Sequence, residues 1–348
     1  MQSRGIILDL SITGDLRSVA NSAWISTLDE TRANSRSDED VDRVTSFLAE
    51  NFHTSPFECV TLTFVWGGAL HDRLYMRPYV DSRFTRVDFP DGMTKLTIDL
   101  WNFVKITGTE FIPPMVGSID LREGPAWTLF KRRHPHLASK CEKFDFSGQK
   151  LDKSDDVSDV LGTHSMNVEL VSLHKEKERN HSRATWRVKC PLSIAVQMLR
   201  HRTGSFNMVS ARYRTIDQEM IGKFDDISEV YRKIYKERLN DNICAAVLYD
   251  KYQQSTDATI EEYKRLMSDA KLAVRSGTIS GDDYKRIRET ARYVLPEGRL
   301  TELYVTFYLD DFDNYLYLRD SPHTQTEHVW VAQRMLDTLS DALDNSND

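Results

Sequence analysis

The chain has 348 residues, 40% of them hydrophobic and 28% charged, which is enough for a sizeable core in one or two domains. Its formal net charge of −7 argues against a general nucleic-acid-binding protein, whose surface carries a basic excess. No apolar run is long enough to span a membrane and no signal-peptide pattern opens the chain. We therefore expect a cytoplasmic, soluble enzyme with neither a membrane nor a nucleic acid as partner.

The cysteines do not indicate a metal site or a disulfide framework. None of them has the CxxC spacing that zinc ligands and redox pairs use. They are Cys59, Cys141, Cys190 and Cys244. We expect no bound metal.

The first fifty residues predict a strand followed by two helices. Ile6–Leu10 is a short apolar run, and a turn at Gly14-Asp15 follows it. Asp15–Trp24 and Asp38–Asn51 repeat apolar residues at helical spacing, so both are predicted to be amphipathic helices.

A polar loop and a strand come next. In the loop, His53 precedes Ser55, and the proline after Ser55 favours an extended conformation that presents the hydroxyl. Glu58 then opens Cys59–Phe64, which alternates and is rich in β-branched residues, as is typical of a strand. On these residues alone, His53 is more often structural than a ligand.

The long stretch after this strand predicts a mainly β region with irregular loops. Three segments have strand-like composition, namely Leu74–Val80, Lys95–Val104 and Val168–His174, whereas Asp81–Asp91 is rich in turn residues. The basic run Lys131–His136 could bind nucleic acid or a polyglutamate tail. A solvated loop is the favoured interpretation of that run.

The most distinctive stretch lies around residue 200. Pro191–Leu199 predicts a short apolar helix with proline in its first turn, where a missing N–H has no cost. The helix ends in the triplet Arg200-His201-Arg202, and cations are favoured at a helix C-terminus. Ser210 and Arg212 then supply a hydroxyl and a guanidinium suited to a phosphomonoester. The residues indicate an anion site; the alternative is a solvated helix end.

The last third of the chain predicts mostly helices. Apolar residues recur at helical spacing in three segments, and a closing helix ends the chain. In order, these helices are Asp226–Tyr249, Thr259–Val274, Gly281–Tyr293 and His323–Leu343.

The triplet Arg200-His201-Arg202, followed after seven residues by Ser210, resembles the signature of the flavin-dependent thymidylate synthases. Three further segments match that family in the same order along the chain. They are His53–Glu58, Glu289–Pro296 and Asp313–Glu327. Such order and spacing do not arise readily by chance.

The resemblance implies a fold and a domain organisation. The fold is α+β, a mixed sheet with helices, interrupted by a mainly β insertion. The family core would comprise residues 1–64 and 185–348, with residues 65–184 as an inserted region of unknown role. The family is homotetrameric, and its sites form where subunits meet.

The resemblance also implies an activity, the reductive methylation of dUMP to dTMP. Methylene-tetrahydrofolate would donate the carbon and NADPH the electrons, with FAD performing the redox chemistry. Arg319 would be the catalytic group, because a guanidinium stays charged at neutral pH and favours an enolate-like pyrimidine. The nucleotide would be held by Gln197, Ser210, Arg212, Arg292 and Arg319. The flavin would be held by Ser26, His53, Ser55, Glu58, Arg200, His201, Arg202, Asn207, Asn314 and His323.

Three positions depart from the family pattern. Met208 replaces a usual Glu, Tyr308 a flavin-binding Asn and Asp310 a common Arg. The first alternative is therefore a relative with altered chemistry, such as hydroxymethylation of dUMP or action on another pyrimidine nucleotide. The second is a catalytically inactive flavin- and nucleotide-binding protein that acts through the inserted region.

Overall fold

The computed structural model describes residues 7–25, 33, 35–50, 53, 55–67, 85–107, 166–209 and 242–345. Several predictions fall on residues outside these ranges. They concern Ser26, Ser210, Arg212, the strand Leu74–Val80 and the basic run Lys131–His136.

Four strands in the first third of the chain form an antiparallel sheet. They are β1 (Ile7–Thr13), β2 (Thr61–Gly67), β3 (Thr85–Asp88) and β4 (Met93–Asp99), in the spatial order β1-β2-β4-β3. Three helices cover one face: α1 (Leu16–Trp24), α2 (Asp38–Glu50) and α3 (Leu100–Thr107). Alternation along the strands sends Leu62, Phe64 and Ile98 into the core between the sheet and these helices.

A second antiparallel sheet forms from the later strands. They are β5 (Asn167–His174), β6 (Arg183–Pro191), β7 (Ser205–Met208) and β8 (Leu300–Tyr308), in the spatial order β5-β6-β8-β7. Its covering helices are α4 (Leu192–Met198), α7 (Leu309–Arg319) and α8 (Thr326–Asn345). Trp186, Phe307 and Phe312 are fully buried at the centre of this second core.

Two helices between β7 and β8 form a smaller third core. They are α5 (Asn242–Arg275) and α6 (Gly281–Ala291), and the predicted helix Asp226–Tyr249 is described only from Asn242 onward. Tyr263 and Met267 of α5 pack with Ala291 at the end of α6. Among the described residues, no helix is both long and apolar enough to cross a membrane.

The class predicted from the sequence, α+β, is confirmed by these helices and sheets. Two local predictions are wrong. The strand predicted at Lys95–Val104 ends at Asp99, whose carboxylate accepts from the backbone N–H of Asn102 at 3.0 Å and so favours the start of α3. The segment Asp81–Asp91, predicted as turns, contains β3, because Thr85 and Val87 face inward and pair with β4.

Strands from the predicted insertion belong to both sheets. β3 and β4 extend the sheet begun by β2, and β5 pairs along β6. The division into a core and an inserted region stays a prediction.

A chain of hydrogen bonds between side chains joins the two sheets. Thr13 Oγ1 lies 2.8 Å from His174 Nδ1, and His174 Nε2 lies 2.7 Å from Thr63 Oγ1. Thr63 Oγ1 lies 2.7 Å from Thr97 Oγ1, which lies 2.7 Å from His181 Nδ1. Both imidazoles are buried, so the contact between the sheets is polar at its centre.

Asp88 sets the direction of this hydrogen-bond chain. Its carboxylate can only accept, so His181 Nε2, which lies 2.9 Å from Asp88 Oδ2, donates to it. Nδ1 of a neutral His181 then accepts from the Thr97 hydroxyl, and Thr97 accepts from Thr63. Thr63 in turn accepts from His174 Nε2. Burial lowers the pKa of His181, although Asp88 acts in the opposite direction, so the ring is neutral at neutral pH.

We expect the protein to lose stability as the pH falls from about 7 toward the lowered pKa of His181. His181 has a lower pKa in the folded state than in the unfolded chain, so acid protonates the unfolded chain first and favours unfolding. Each such proton contributes at most about 1.4 kcal/mol per pH unit. Urea unfolding at several pH values measures this slope.

The matched variant is His181→Gln, which keeps an N–H donor toward Asp88 but does not titrate. Its unfolding free energy should depend less steeply on pH over this interval. An equal slope in the variant and the wild type would contradict the assignment of a buried, neutral His181.

Candidate active site

The site is built at the end of α4, where the chain turns toward β7. The backbone N–H of His201 donates to the Met198 carbonyl at 2.9 Å, and the N–H of Gly204 donates to the His201 carbonyl at 3.1 Å. This tight turn leaves the side chains of Arg200 and Arg202 exposed and turns His201 partly inward. The predicted helix with its C-terminal cations is therefore present.

Gly204 makes the turn fit against the second sheet. A Cβ atom at this position would lie 2.6 Å from Phe307 Cε1 and 2.8 Å from Phe206 Cζ. The two rings are themselves packed edge to face, with centroids 5.8 Å apart, so neither can easily move away. A glycine is thus required for the triplet to approach β8.

His201 accepts a hydrogen bond from Arg319, the residue that the sequence predicts to be catalytic. Arg319 Nε lies 2.7 Å from His201 Nε2. Burial, Arg319 and Arg200 together lower the pKa of His201 to about 4. At neutral pH the ring is therefore neutral, with Nε2 as the acceptor and the proton on Nδ1.

Gln197 joins the same group through two hydrogen bonds. Its Nε2 donates to Gln325 Oε1 at 3.1 Å, and its Oε1 lies 3.3 Å from His328 Nδ1. The buried Tyr315 ring packs edge-on against His201 with centroids 4.9 Å apart, and its hydroxyl lies 3.1 Å from His328 Nε2. Three residues predicted separately, Gln197, His201 and Arg319, thus belong to one cluster.

This cluster carries positive charge. Within the described part of the chain, no carboxylate forms an ion pair with Arg200 or Arg319. Arg319 is only partly exposed, so its charge is less screened than that of a surface arginine. The arrangement can attract an anion and stabilise negative charge that develops beside it.

The structure places several other predicted residues apart from this cluster. Asn207 donates to the carbonyl of Ser22 and, at 3.0 Å, to its hydroxyl, so it ties β7 to α1. Arg292 Nε donates to the Glu289 carbonyl at 2.9 Å, beside the third core. The remaining predicted residues lie at the surface or only partly buried: His53, Ser55, Glu58, Asn314 and His323.

The family described as Thymidylate synthase complementing protein matches residues 140–343, more than half of the chain. The chain belongs to the flavin-dependent thymidylate synthase family. The resemblance carried by the Arg-His-Arg motif is thereby confirmed. Both Gln197 and Arg319 lie inside the matched residues.

The curated relatives of this chain are distant from it in sequence. The flavin-dependent thymidylate synthase of Pseudothermotoga lettingae is 30% identical over 152 residues, which cover 44% of this chain and 59% of that protein. The Aquifex aeolicus synthase is 26% identical over 287 residues, covering 82% of each chain. The chain spans 59–63% of the length of the first curated relatives that it matches.

A solved structure is also similar in part. The UMP/dUMP methylase PolB from Streptomyces cacaoi, bound with 5-Br UMP, matches 51% of this chain and 89% of its own, with 24% identity and a TM-score of 0.36.

Two departures from the synthase pattern have a structural role here. Tyr308 is fully buried, and the guanidinium carbons of Arg86 and Arg183 lie 4.2 Å and 5.1 Å from the centroid of its ring. Asp310 pairs with Arg86 at 3.3 Å, and Asp311 pairs with it at 2.5 Å. These residues connect β3 and β6 to the first turn of α7. Met208 is partly buried against the second core.

Sequence reasoning missed Tyr315 and His328, although a signal was present. His328 begins the stripe completed by Val331, Met335 and Leu339 on α8, which helical spacing assigns to the buried face. Tyr315 lies three residues after the buried Phe312 on α7. What the spacing does not reveal is that the two stripes meet.

Replacing Gly204 with alanine should destabilise the fold by about 1–3 kcal/mol, because the added methyl group overpacks the turn against Phe307. Gly281→Ala is the matched control, since nothing lies within 4 Å of a Cβ at that position. Chemical denaturation of both variants measures the difference. Equal unfolding free energies would show that the turn has room for a side chain.

Replacing Arg319 with glutamine should raise the pKa of His201 from about 4 toward its ordinary value, because a neighbouring positive charge is removed. Titration of the His201 ring by NMR measures this. Arg334→Gln, on the exposed face of α8, is the control and should leave the His201 titration unchanged. A His201 pKa that did not rise in Arg319→Gln would contradict the contact.

Proposed function

We propose that this protein is a thymidylate synthase that methylates dUMP to dTMP, with methylene-tetrahydrofolate as carbon donor and NADPH as reductant of bound FAD. The observation that carries the proposal is the single cluster formed by Gln197, His201 and Arg319 in a chain of this family. In this proposal the Gln197 amide binds the nucleotide, the His201 imidazole binds the flavin and the Arg319 guanidinium is catalytic.

The donor set suits FAD. Arg200 and Arg202 are exposed guanidinium groups beside a neutral imidazole, a combination that binds a diphosphate without bringing a third positive charge. Asn314 and His323 lie on and just after α7, which also carries Arg319. Bound FAD would supply the hydride chemistry that no amino-acid side chain provides.

Arg319 would stabilise the pyrimidine as negative charge develops on its ring. A guanidinium keeps its proton at neutral pH, so it can act electrostatically without titrating. His201 assists by remaining neutral, because a second cation there would repel Arg319. The hydrogen bond at 2.7 Å holds the Arg319 side chain toward the site before substrate arrives.

A cysteine nucleophile has no part in this proposal. Among the cysteines whose side chains are described, Cys59 and Cys190 are buried, and burial raises the pKa of each to about 12. Neither is a thiolate at neutral pH, so neither can attack a pyrimidine ring.

Arg292 and the homotetramer belong to the same proposal. In this chain Arg292 lies beside the third core rather than with Arg319, which suits a residue that reaches the substrate phosphate of a neighbouring subunit. Ser210 and Arg212 would complete the phosphate site.

Met208 favours a second candidate, a relative with altered chemistry that hydroxymethylates dUMP or uses another pyrimidine nucleotide. Its thioether packs partly buried against the second core, where the family places a carboxylate. The missing charged hydrogen bond is worth about 1.5–3 kcal/mol, enough to change the relative stability of competing reaction routes.

The test is anaerobic incubation of the purified protein with FAD, NADPH, methylene-tetrahydrofolate and dUMP, followed by mass analysis of the nucleotide. We expect a methylated product, and Arg319→Gln should lower kcat by about 100- to 1000-fold. The exposed Arg334→Gln is the control for adding a neutral amide. A hydroxymethylated product would select the second candidate, and dUMP turnover by Arg319→Gln at the wild-type rate would refute the role of Arg319.

A further inference from the structure

A buried tyrosine and histidine lie directly behind the Gln197 amide. Tyr315 is 1% exposed and His328 is fully buried. The tyrosine hydroxyl lies 3.1 Å from His328 Nε2, and His328 Nδ1 lies 3.3 Å from Gln197 Oε1. A buried polar pair is costly unless its hydrogen bonds are made, and both nitrogens of this imidazole are used.

The hydrogen bonds fix the proton positions in this group. Gln197 Nε2 donates to Gln325, so the other end of the amide, Oε1, is the end that faces His328. An amide oxygen only accepts, so His328 Nδ1 must carry the proton. The neutral ring then accepts at Nε2, and the Tyr315 hydroxyl donates to it. Burial and the nearby Arg319 charge lower the pKa of His328 to about 3, which keeps this single tautomer at neutral pH.

This tautomer and the orientation of the Gln197 amide are mutually consistent. His328 holds the oxygen inward, and Gln325 holds one of the two N–H groups. The second N–H is left on the side away from His328. A nucleotide phosphate accepts hydrogen bonds, so an amide presenting N–H attracts it, whereas a flipped amide would present oxygen and repel it.

We propose that Tyr315 and His328 are positioning residues that lock the Gln197 amide with its N–H groups toward the nucleotide. This inference rests on the proposed function, in which Gln197 binds dUMP. Tyr315 donates to His328, His328 donates to Gln197, and Gln197 presents its remaining N–H to the anion. Without the tyrosine hydroxyl, His328 can carry its proton on Nε2, and Nδ1 then faces the amide as an acceptor. The amide would flip to meet it.

The same tyrosine also borders the flavin side of the cluster. Its ring packs edge-on against His201, and ring contacts to Phe307 and Phe312 hold it in place. A Tyr315→Phe change keeps all of these ring contacts and removes only the hydroxyl. It therefore separates amide positioning from packing.

The experiment compares Tyr315→Phe with Tyr317→Phe, the same change at an 84% exposed position on the same helix. Affinity for dUMP is measured by calorimetry, and KM and kcat by turnover. We expect Tyr315→Phe to weaken dUMP binding and raise KM about tenfold, with kcat within about twofold of wild type, while Tyr317→Phe behaves as wild type. The visible spectrum of bound flavin checks that the His201 side is intact.

A second pair of variants distinguishes the loss of the hydrogen bond from a folding defect. His328→Asn keeps an N–H donor close to the Nδ1 position, whereas His328→Leu removes it. We expect the asparagine variant to have the lower KM of the two. Equal KM values for both His328 variants would overturn this inference and leave the proposed function standing. A Tyr315→Phe variant that binds dUMP as tightly as wild type would do the same. Failure of the wild-type protein to bind dUMP would instead refute the proposed function, and this role for the pair with it.

Discussion

The arrangement of the site depends on how helix α7 is held against the second sheet. One face of the helix buries Phe312 and Tyr315 among the aromatic residues of that core. At its first turn, Arg86 from β3 pairs with Asp310 and Asp311, and in the next turn Arg179 pairs with Asp313 at 2.7 Å. Carboxylates are favoured at a helix N-terminus in any case, so these pairs add to an existing preference. The helix is thereby fixed at one end, and Arg319 lies at the other.

The contact between the two sheets is unusual in being polar at its centre. In general, both partners of a buried hydrogen bond can be replaced by apolar groups of the same shape with little loss of stability. Here the two buried imidazoles and the threonines between them instead form a chain with one direction, set by the carboxylate of Asp88. All of these hydrogen bonds can be made in only one alignment of the two sheets. The hydrogen-bond series therefore selects that alignment. Lys95 extends the same polar contact with an ion pair to Glu176 at 2.7 Å.

Neutral histidines recur wherever the site meets the core. His201 and His328 both have pKa values well below the ordinary one, because each is buried and each lies near Arg319. The guanidinium is thus the lasting positive charge inside the cluster, and the imidazoles act as hydrogen-bond partners of fixed polarity. In this division of roles, arginine supplies the attraction for an anion and the neutral groups supply the orientation.

The sequence by itself determined the family, the α+β class and the helix that ends in Arg200-His201-Arg202, because motif spacing and helical periodicity are local properties. It also named Gln197, His201 and Arg319 individually. Only the tertiary structure decided that these three form one cluster with Tyr315 and His328, since α4 lies far in the chain from the consecutive helices α7 and α8. The strand end at Asp99, the pairing of β3 and the Arg86 contacts to α7 also depended on packing between distant segments. Local spacing assigns a residue to the buried face of its own helix, but the partner on that face is set by how the elements pack together.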